Sequence, residues 1–290
     1  MTSESQPGPT SFRSDRFKSS FTIKHSQPLI DALQASSQLS RSELKRALKN
    51  GAVRLHRQGY SKRRIRKASF SVHPGDVVLL CYDKALLRKT ADTPVSIRHH
   101  SDYSIWYKPP GMVTQGTCYG DHLSLLRIVE QHLGLHNRIF PVHRLDREAR
   151  GLVMLAHSKK SCEALSRQFR EKTIEKKYWA KVVGAMVPEG TCFEINQPLD
   201  GKNSITSITI GRYCRETETT AIFINLKTGR YHQIRRHLAA INYPLVGDRK
   251  YGFTGRTDEG LQLCAYQLSY KEPKNKNRQL ITLPPDLLPF

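Results

Sequence analysis

Hydrophobic periodicity divides the chain into a short module followed by a longer, strand-rich region. Leu29, Ile30 and Leu33 recur at helical spacing and predict a short helix over 27–36. Ser40-Arg-Ser-Glu43 is a capping box, in which the Ser40 hydroxyl and the Glu43 carboxylate satisfy each other's backbone N–H groups. Leu44, Ala47 and Leu48 continue at helical spacing until Asn50-Gly51 stops the helix. Val53 and Leu55 then alternate with Arg54 and His56, predicting a strand over 52–58. Pro74-Gly75-Asp76 reads as a turn and 77–82 as a buried strand.

The longer region opens with a strand over 103–107 and a rigid turn, Lys108-Pro-Pro-Gly111. A helix is predicted over 123–133 and an apolar strand, buried on both faces, over 152–156. Ser158 caps a helix to 171, with Cys162, Leu165 and Phe169 inward. Strands are predicted over 174–183, 206–213 and 220–227. A helix opening at Thr228 and running to Ile241 has Ile234, Leu238 and Ile241 on one face, with Asn242 suited to a left-handed C-cap. Many strands and few helices predict an α+β fold with a mixed, mostly antiparallel sheet in the large domain, beside a small N-terminal α/β module. The expected divisions are a flexible tail (1–20), the module (21–83), a basic, proline-containing linker (84–101) and the large domain (102–290).

Charge changes this picture from fold to partner. Lys and Arg number 47 against 25 acids in 290 residues, a net charge of +22. With 38% hydrophobic residues this is a folded chain with a strong positive field, for which nucleic acid is the obvious partner. Within 41–67 there are eleven Lys and Arg against one acid, Glu43, an imbalance that self-repulsion makes costly without an anion. No apolar run approaches the roughly 18 residues of a membrane span, so a membrane is not expected. Residues 1–20 lack the apolar core of a secretory signal. The six cysteines show no Cys-x-x-Cys spacing and several lie in apolar stretches, which predicts reduced, structural thiols in a cytoplasmic protein and no metal.

One polar stretch stands out as candidate chemistry. Pro-Val-His143-Arg144-Leu-Asp146-Arg147-Glu-Ala-Arg-Gly151 precedes the apolar 152–156 run. Gly151 separates the halves, so the polar part is a loop delivered by a buried strand. A carboxylate between Arg144 and Arg147 is expected to be ionised at neutral pH, which suits a nucleophile better than a general acid. By spacing alone a surface salt-bridge loop is the simpler explanation.

Two resemblances extend this reading. Leu33, Ser40-Arg41-Ser42, Leu48, Gly51-Ala-Val53 and Pro74-Gly75-Asp76 resemble the S-four-like RNA-binding domain, which implies phosphate contacts from Arg41, Lys45, Arg46 and Lys49. Five further motifs, in order, resemble the RluA family of pseudouridine synthases. They are Lys108-Pro-Pro-Gly111, His143-Arg-Leu-Asp146 with Gly151-Leu-Val-Met-Leu-Ala156, Lys177-Tyr178-Trp-Ala180, Thr228-Gly-Arg-Tyr-His-Gln-Ile-Arg235, and Pro244-Leu-Val-Gly-Asp-Arg-Lys-Tyr-Gly252. The resemblance implies an enzyme that flips a uridine from structured RNA, breaks its N1–C1′ bond and rejoins the base through C5, without cofactor or metal. It implies that Asp146 is the catalytic carboxylate, that Tyr178 stacks on the base, and that Arg235 pairs with Asp146 as a bidentate guanidinium. It also implies that Arg144 fills the gap left by the flipped base, that His143 belongs to the substrate-binding loop, and that Leu263 lines the floor. Ribosomal RNA is the favoured substrate, transfer RNA the second, and the protein is expected to be a monomer. The chain departs from the family at Ala149-Arg150, where a Thr-Ser pair is usual. That departure keeps open an RNA-binding or ribosome-assembly protein with an inert synthase domain. A glycoside hydrolase would need a second carboxylate, for which Glu148 is the nearby candidate.

Overall fold

The computed structural model describes residues 14–134 and 139–289. The chain forms two compact units, one of residues 1–91 with 116–127 and one of 92–115 with 128–290.

The first unit contains β1 (Arg16–Thr22), β2 (Gln27–Pro28), α1 (Leu29–Ala35), α2 (Arg41–Lys49), β3 (Val53–His56), β4 (Arg63–Arg64), β5 (Ser71–Val72), β6 (Val77–Asp83) and α3 (Lys84–Arg88). The capping box of α2 forms, with both the Ser40 and Glu43 side chains bonded to backbone N–H groups. Gly51 follows at φ +77°, a conformation that costs glycine nothing. The sheet order is β1-β6-β3-β4. Its core joins Leu29, Leu33, Leu44, Leu48, Val53, Leu55, Val78 and Leu80.

Three expected boundaries are corrected here. The tail expected over 1–20 includes part of β1, which pairs along its whole length with β6, from Arg16 opposite Asp83 to Thr22 opposite Val77. This edge strand buries only alternate positions, with Phe17 and Phe21 against the core, so its polar residues hide it. Residues 1–13 of the expected tail lie outside the described residues. The linker expected over 84–101 is largely structured: Asp83 caps α3, and β7 (Val95–His99) pairs with the next strand. Residues 116–127, assigned from sequence to the large domain, pack in the first unit, where Asp121 accepts ion pairs from Arg64 and Arg66 at 3.1 and 2.6 Å.

The second unit continues with β8 (Tyr103–Lys108), β9 (Phe140–Pro141), β10 (Arg150–Ala156), α5 (Lys159–Arg170), β11 (Glu175–Val183), β12 (Cys192–Asn196), β13 (Ile205–Cys214), β14 (Thr219–Leu226), α6 (Gln233–Ala240), β15 (Leu263–Lys271) and β16 (Arg278–Thr282). Helix α4 (Leu125–His132) spans the boundary between the units. The sheet runs β12-β13-β14-β11-β15-β10-β8-β7, with β16 beside β15 and β9 beside β10. Its pairs are antiparallel except β10 with β15, so the sheet is mixed and mostly antiparallel as expected. Ser158 caps α5. The last α-helix starts at Gln233, later than expected: 228–232 are not helical, and His232 takes a left-handed φ of +52°.

The parallel pair positions the site. Gly151 adopts φ +120°, and a Cβ there would lie 2.3 Å from the Ala265 carbonyl oxygen. Only glycine lets β10 approach β15 this closely. The register then places Lys108 opposite Gly151, Gly151 opposite Ala265, and Ala265 opposite Tyr178. These four residues form one cross-strand row on one sheet face. The other face carries Leu152, Met154, Trp179 and Cys264 into the core against Leu165 of α5.

Candidate active site

Gly151 and Ala265, both buried, lie between two long residues, Lys108 and Tyr178, in that row. The loop carrying Asp146 precedes β10 at this point. Its carboxylate keeps 25% of its side-chain surface exposed.

Arg235 comes to Asp146 from the first turn of α6, and that turn is fixed by a buried amide. The Gln233 side-chain oxygen accepts from the Thr228 hydroxyl at 2.8 Å and from the Arg230 N–H at 3.0 Å. Its nitrogen donates to the Ile205 carbonyl at 3.0 Å and to the Thr206 hydroxyl at 2.9 Å. The helix start is therefore tied to β13, and Arg235 is aimed by it.

The expected bidentate pair between Arg235 and Asp146 does not form. Arg235 instead donates Nε and Nη2 to the two oxygens of Asp248, at 2.7 and 2.8 Å, and Asp248 is fully buried. Only Nη1 remains for the loop, 3.5 Å from Asp146 Oδ2 and 3.4 Å from Glu148 Oε2. Asp248, in the turn after Gly247, takes the Nε–Nη2 edge of the guanidinium, which leaves Nη1 for the loop. Burial works against the Arg235 charge, but the Asp248 hydrogen bonds and the neighbouring carboxylates outweigh it and raise its pKa above the ordinary value.

Tyr178 is buried on β11, and its phenol is held well above its ordinary pKa by burial and by the Asp146 charge. It is therefore a neutral phenol at physiological pH. Leu263 is buried on β15 opposite Ala180, on the same sheet face as Tyr178. Arg144 is exposed, and among the described residues it makes no hydrogen bond or ion pair.

His143 is turned elsewhere. Its Nε2 accepts the Met154 N–H at 3.0 Å, and its ring stacks on Phe169 at 4.6 Å. It thus anchors the loop to β10 and α5, and the substrate-binding role expected for it is corrected to a bracing one. Burial lowers its pKa to about 3, and its hydrogen bond requires an unprotonated Nε2. A folded-state value below the unfolded one means that the unfolded chain takes up the proton first. Stability therefore falls as the pH drops from about 6.5 toward 3, by up to about 1.4 kcal/mol per unit. Urea denaturation between pH 7.5 and 5 is expected to show this slope reduced in His143→Gln, and an equal slope in both proteins would refute the assignment.

The Thr-Ser pair absent at Ala149-Arg150 is replaced by bracing from neighbouring segments. The Thr114 hydroxyl accepts from the Leu145 N–H and donates to the Leu145 carbonyl, both at 3.2 Å, next to Asp146. Lys108 Nζ, fully buried, donates to the carbonyls of Pro109, Met112 and Arg147 at 3.0, 2.8 and 3.2 Å. Burial pushes its pKa down to about 7, opposed by the charges of Asp146 and Glu148. Ala149 is buried, and Arg150 donates to the Gln262 side chain at 3.1 Å.

His232, Asp248 and Lys108 were not singled out as site residues in the sequence. Each lies inside one of the five motifs, which was the only signal available. His232 Nε2 stands 3.8 Å from Asp146 Oδ2. Burial, the largest influence, lowers the pKa of its imidazole, with the Asp146 charge opposing.

In the first unit, Arg41 is tied to Asp31 at 2.8 Å and to Gln34 at 3.0 Å. Lys45, Arg46 and Lys49 are exposed, and with Arg88, Lys89 and His122 they line a cleft of about 480 Å³. Among the described residues no cluster of His, Cys, Asp or Glu could hold a metal ion, and no helix is long and apolar enough to cross a membrane.

Residues 102–240 match the RNA pseudouridylate synthase family. An RNA pseudouridine synthase of Synechocystis is 34% identical over 65% of this chain and 73% of its own length. The dual-specificity RNA pseudouridine synthase RluA of Vibrio parahaemolyticus is 33% identical over 56% of this chain and 75% of its own. The chain belongs to the RNA pseudouridylate synthase family. An Aquifex aeolicus RNA pseudouridine synthase is 28% identical across 87% of the chain and 89% of its own length. The human RNA pseudouridylate synthase domain containing 1 shares the fold, with a TM-score of 0.56 at 19% identity over 69% of this chain and 87% of its own. The chain is thus an RluA-type RNA pseudouridine synthase, an enzyme that isomerises uridine within RNA.

Proposed function

We propose that this pseudouridine synthase modifies ribosomal RNA, with Asp146 as its catalytic carboxylate. One observation carries the site assignment: a part-exposed Asp146 lies 3.5 Å from Arg235 Nη1 and 3.8 Å from His232 Nε2, near enough to the buried Tyr178 for its charge to raise the phenol's pKa. A flipped uracil stacks on Tyr178, with Leu263 on the same sheet face. Asp146 engages the nucleotide while the N1–C1′ bond breaks. The base turns and rejoins through C5, and the C5 proton is lost as N1 gains one. Arg235 stabilises the carboxylate through Nη1, and Arg144, exposed beside it, occupies the space that the uridine leaves. Flipping costs a few kcal/mol, which phosphate contacts and stacking offset.

The first unit is an S-four-like RNA-binding domain in this proposal. Lys45, Arg46 and Lys49 contact phosphate, and Arg41 does so only by leaving Asp31. Ribosomal RNA is favoured because two of the similar proteins, from Buchnera aphidicola and Vibrio cholerae, carry the name ribosomal large subunit pseudouridine synthase C. The name dual-specificity in other relatives keeps a second RNA in view. The protein acts as a monomer in the cytoplasm; the cytoplasmic part of this reading is supported by its free cysteines, of which Cys81 and Cys264 are buried.

Pseudouridine mapping in cells with and without the gene tests the substrate. At least one ribosomal RNA uridine is expected to lose its mark in the deletion. A loss confined to transfer RNA would overturn the ribosomal assignment, and no loss in any RNA would overturn the proposal.

A further inference from the structure

Tyr231 is 61% exposed, although it lies two side chains from the catalytic carboxylate. Its ring stacks on His232 with centroids 3.8 Å apart and planes 22° from parallel. His232 is held in turn by Tyr251, edge-on at 5.6 Å, whose hydroxyl lies 3.1 Å from Nδ1. Arg235 lies over Tyr251 at 5.2 Å. A continuous ladder therefore runs from the buried Arg235 outward through Tyr251 and His232 to Tyr231, with Asp146 3.8 Å from its third rung.

Core packing does not account for the outermost rung. A ring buried for stability would be covered, and this one is backed on one face and open to solvent around it. His232 sits at φ +52° immediately before α6, which turns its ring back beneath Tyr231. The platform is thus assembled before any ligand arrives, so little conformational entropy is lost when something stacks on it. Its surroundings are cationic: Lys250 Nζ is 5.5 Å from the Tyr231 ring centroid and 5.4 Å from that of Tyr251, and Arg230 and Arg249 are exposed nearby in sequence. An exposed cation–π contact is worth only about 0.5–1 kcal/mol, and the Lys250 ammonium is free to move to a phosphate. An aromatic face with a mobile cation beside it suits a nucleotide of a single-stranded segment, whose base stacks while its phosphate is neutralised.

We propose that Tyr231 is the stacking platform for an RNA base flanking the flipped uridine, with Lys250 on the intervening phosphate. This rests on the assignment of Asp146 as the catalytic carboxylate. Tyr231 in this role positions the RNA strand and takes no part in the chemistry. Because every base has a π face, the contact adds affinity with little sequence preference, and specificity stays with the fold of the RNA.

The full-length Tyr231→Trp protein tests it directly. Trp106 and Trp179 are both 2% exposed, so the new indole is the solvent-facing fluorophore among three. Titration with a single-stranded ten-nucleotide uridine RNA is expected to quench its emission, while inorganic polyphosphate of equal charge does not. Quenching by both, or by neither, overturns the stacking role whatever the enzyme's natural substrate. In a second arm, ribosomal RNA from cells lacking the gene is the substrate. Tyr231→Ala is expected to raise KM about tenfold with kcat retained, and Tyr231→Phe to restore KM. An unchanged KM in Tyr231→Ala refutes the platform and leaves the synthase assignment intact. Absence of turnover by wild-type protein strikes the ribosomal substrate instead, and the fluorescence arm then decides the platform.

Discussion

Asp146→Asn is expected to abolish pseudouridine formation, lowering kcat by at least about 10³-fold, while RNA binding and folding are retained. The substitution is nearly isosteric and its site is part-exposed, so neither packing nor burial is disturbed. Asn keeps one acceptor toward Arg235 Nη1 but loses the negative charge that the proposed mechanism uses on the nucleotide. The phosphate contacts proposed for Lys45, Arg46 and Lys49 belong to the other unit, so affinity is expected to hold. The measurement is single-turnover pseudouridine formation beside filter binding of the same RNA. Residual turnover within tenfold of wild type would remove Asp146 from the chemistry. A parallel collapse of binding and activity would mean that the loop had misfolded.

Asp248→Asn has the largest expected effect on stability. Arg235 is 5% exposed and Asp248 is fully covered, and they share two hydrogen bonds of 2.7 and 2.8 Å. Removing one charge from a buried pair leaves the other uncompensated, which costs about 3–5 kcal/mol. Asn retains one acceptor and adds a misdirected N–H₂ group, so a cost near the lower end, about 3 kcal/mol, is expected in urea denaturation of the second unit. Activity should fall as well, by at least about tenfold, because the guanidinium released from Asp248 is no longer held with Nη1 toward Asp146. The two measurements separate two roles. A stability loss with full activity would make Asp248 a structural counter-ion alone. Unchanged stability would contradict the buried pair.

These expectations show what a fork of five donors does in the site. Arg235 faces three carboxylates and satisfies them unequally: the buried one takes two bonds, and Asp146 and Glu148 share the last nitrogen. The distribution leaves Asp146 with one oxygen free of the guanidinium, as its proposed role toward the nucleotide requires. It also places Glu148 beside the catalytic loop without the separate geometry that a two-carboxylate hydrolase needs.

Local interactions were legible in the sequence because they are short-range. The caps at Ser40 and Ser158 depend on residues three positions apart, and both formed. The Asn242 left-handed position and the buried 152–156 strand follow from the residues themselves. The α+β class and the mixed, mostly antiparallel sheet followed from the count and spacing of apolar runs. The order of five motifs carried the family, which the comparisons then bore out. Charge alone pointed to a polyanion.

Tertiary structure decided the rest, for one physical reason: the contacts that matter join residues whose separation no local pattern encodes. Gly151 meets Ala265 across more than a hundred positions, and only that parallel pairing puts Lys108 and Tyr178 at the two ends of one row. Asp248 wins the Arg235 fork through the packing of a turn against α6. Edge strand β1 hid in polar residues because it buries one side only. Asp146 could be named from its neighbours in sequence, but its surroundings came from five separate segments folded onto one sheet.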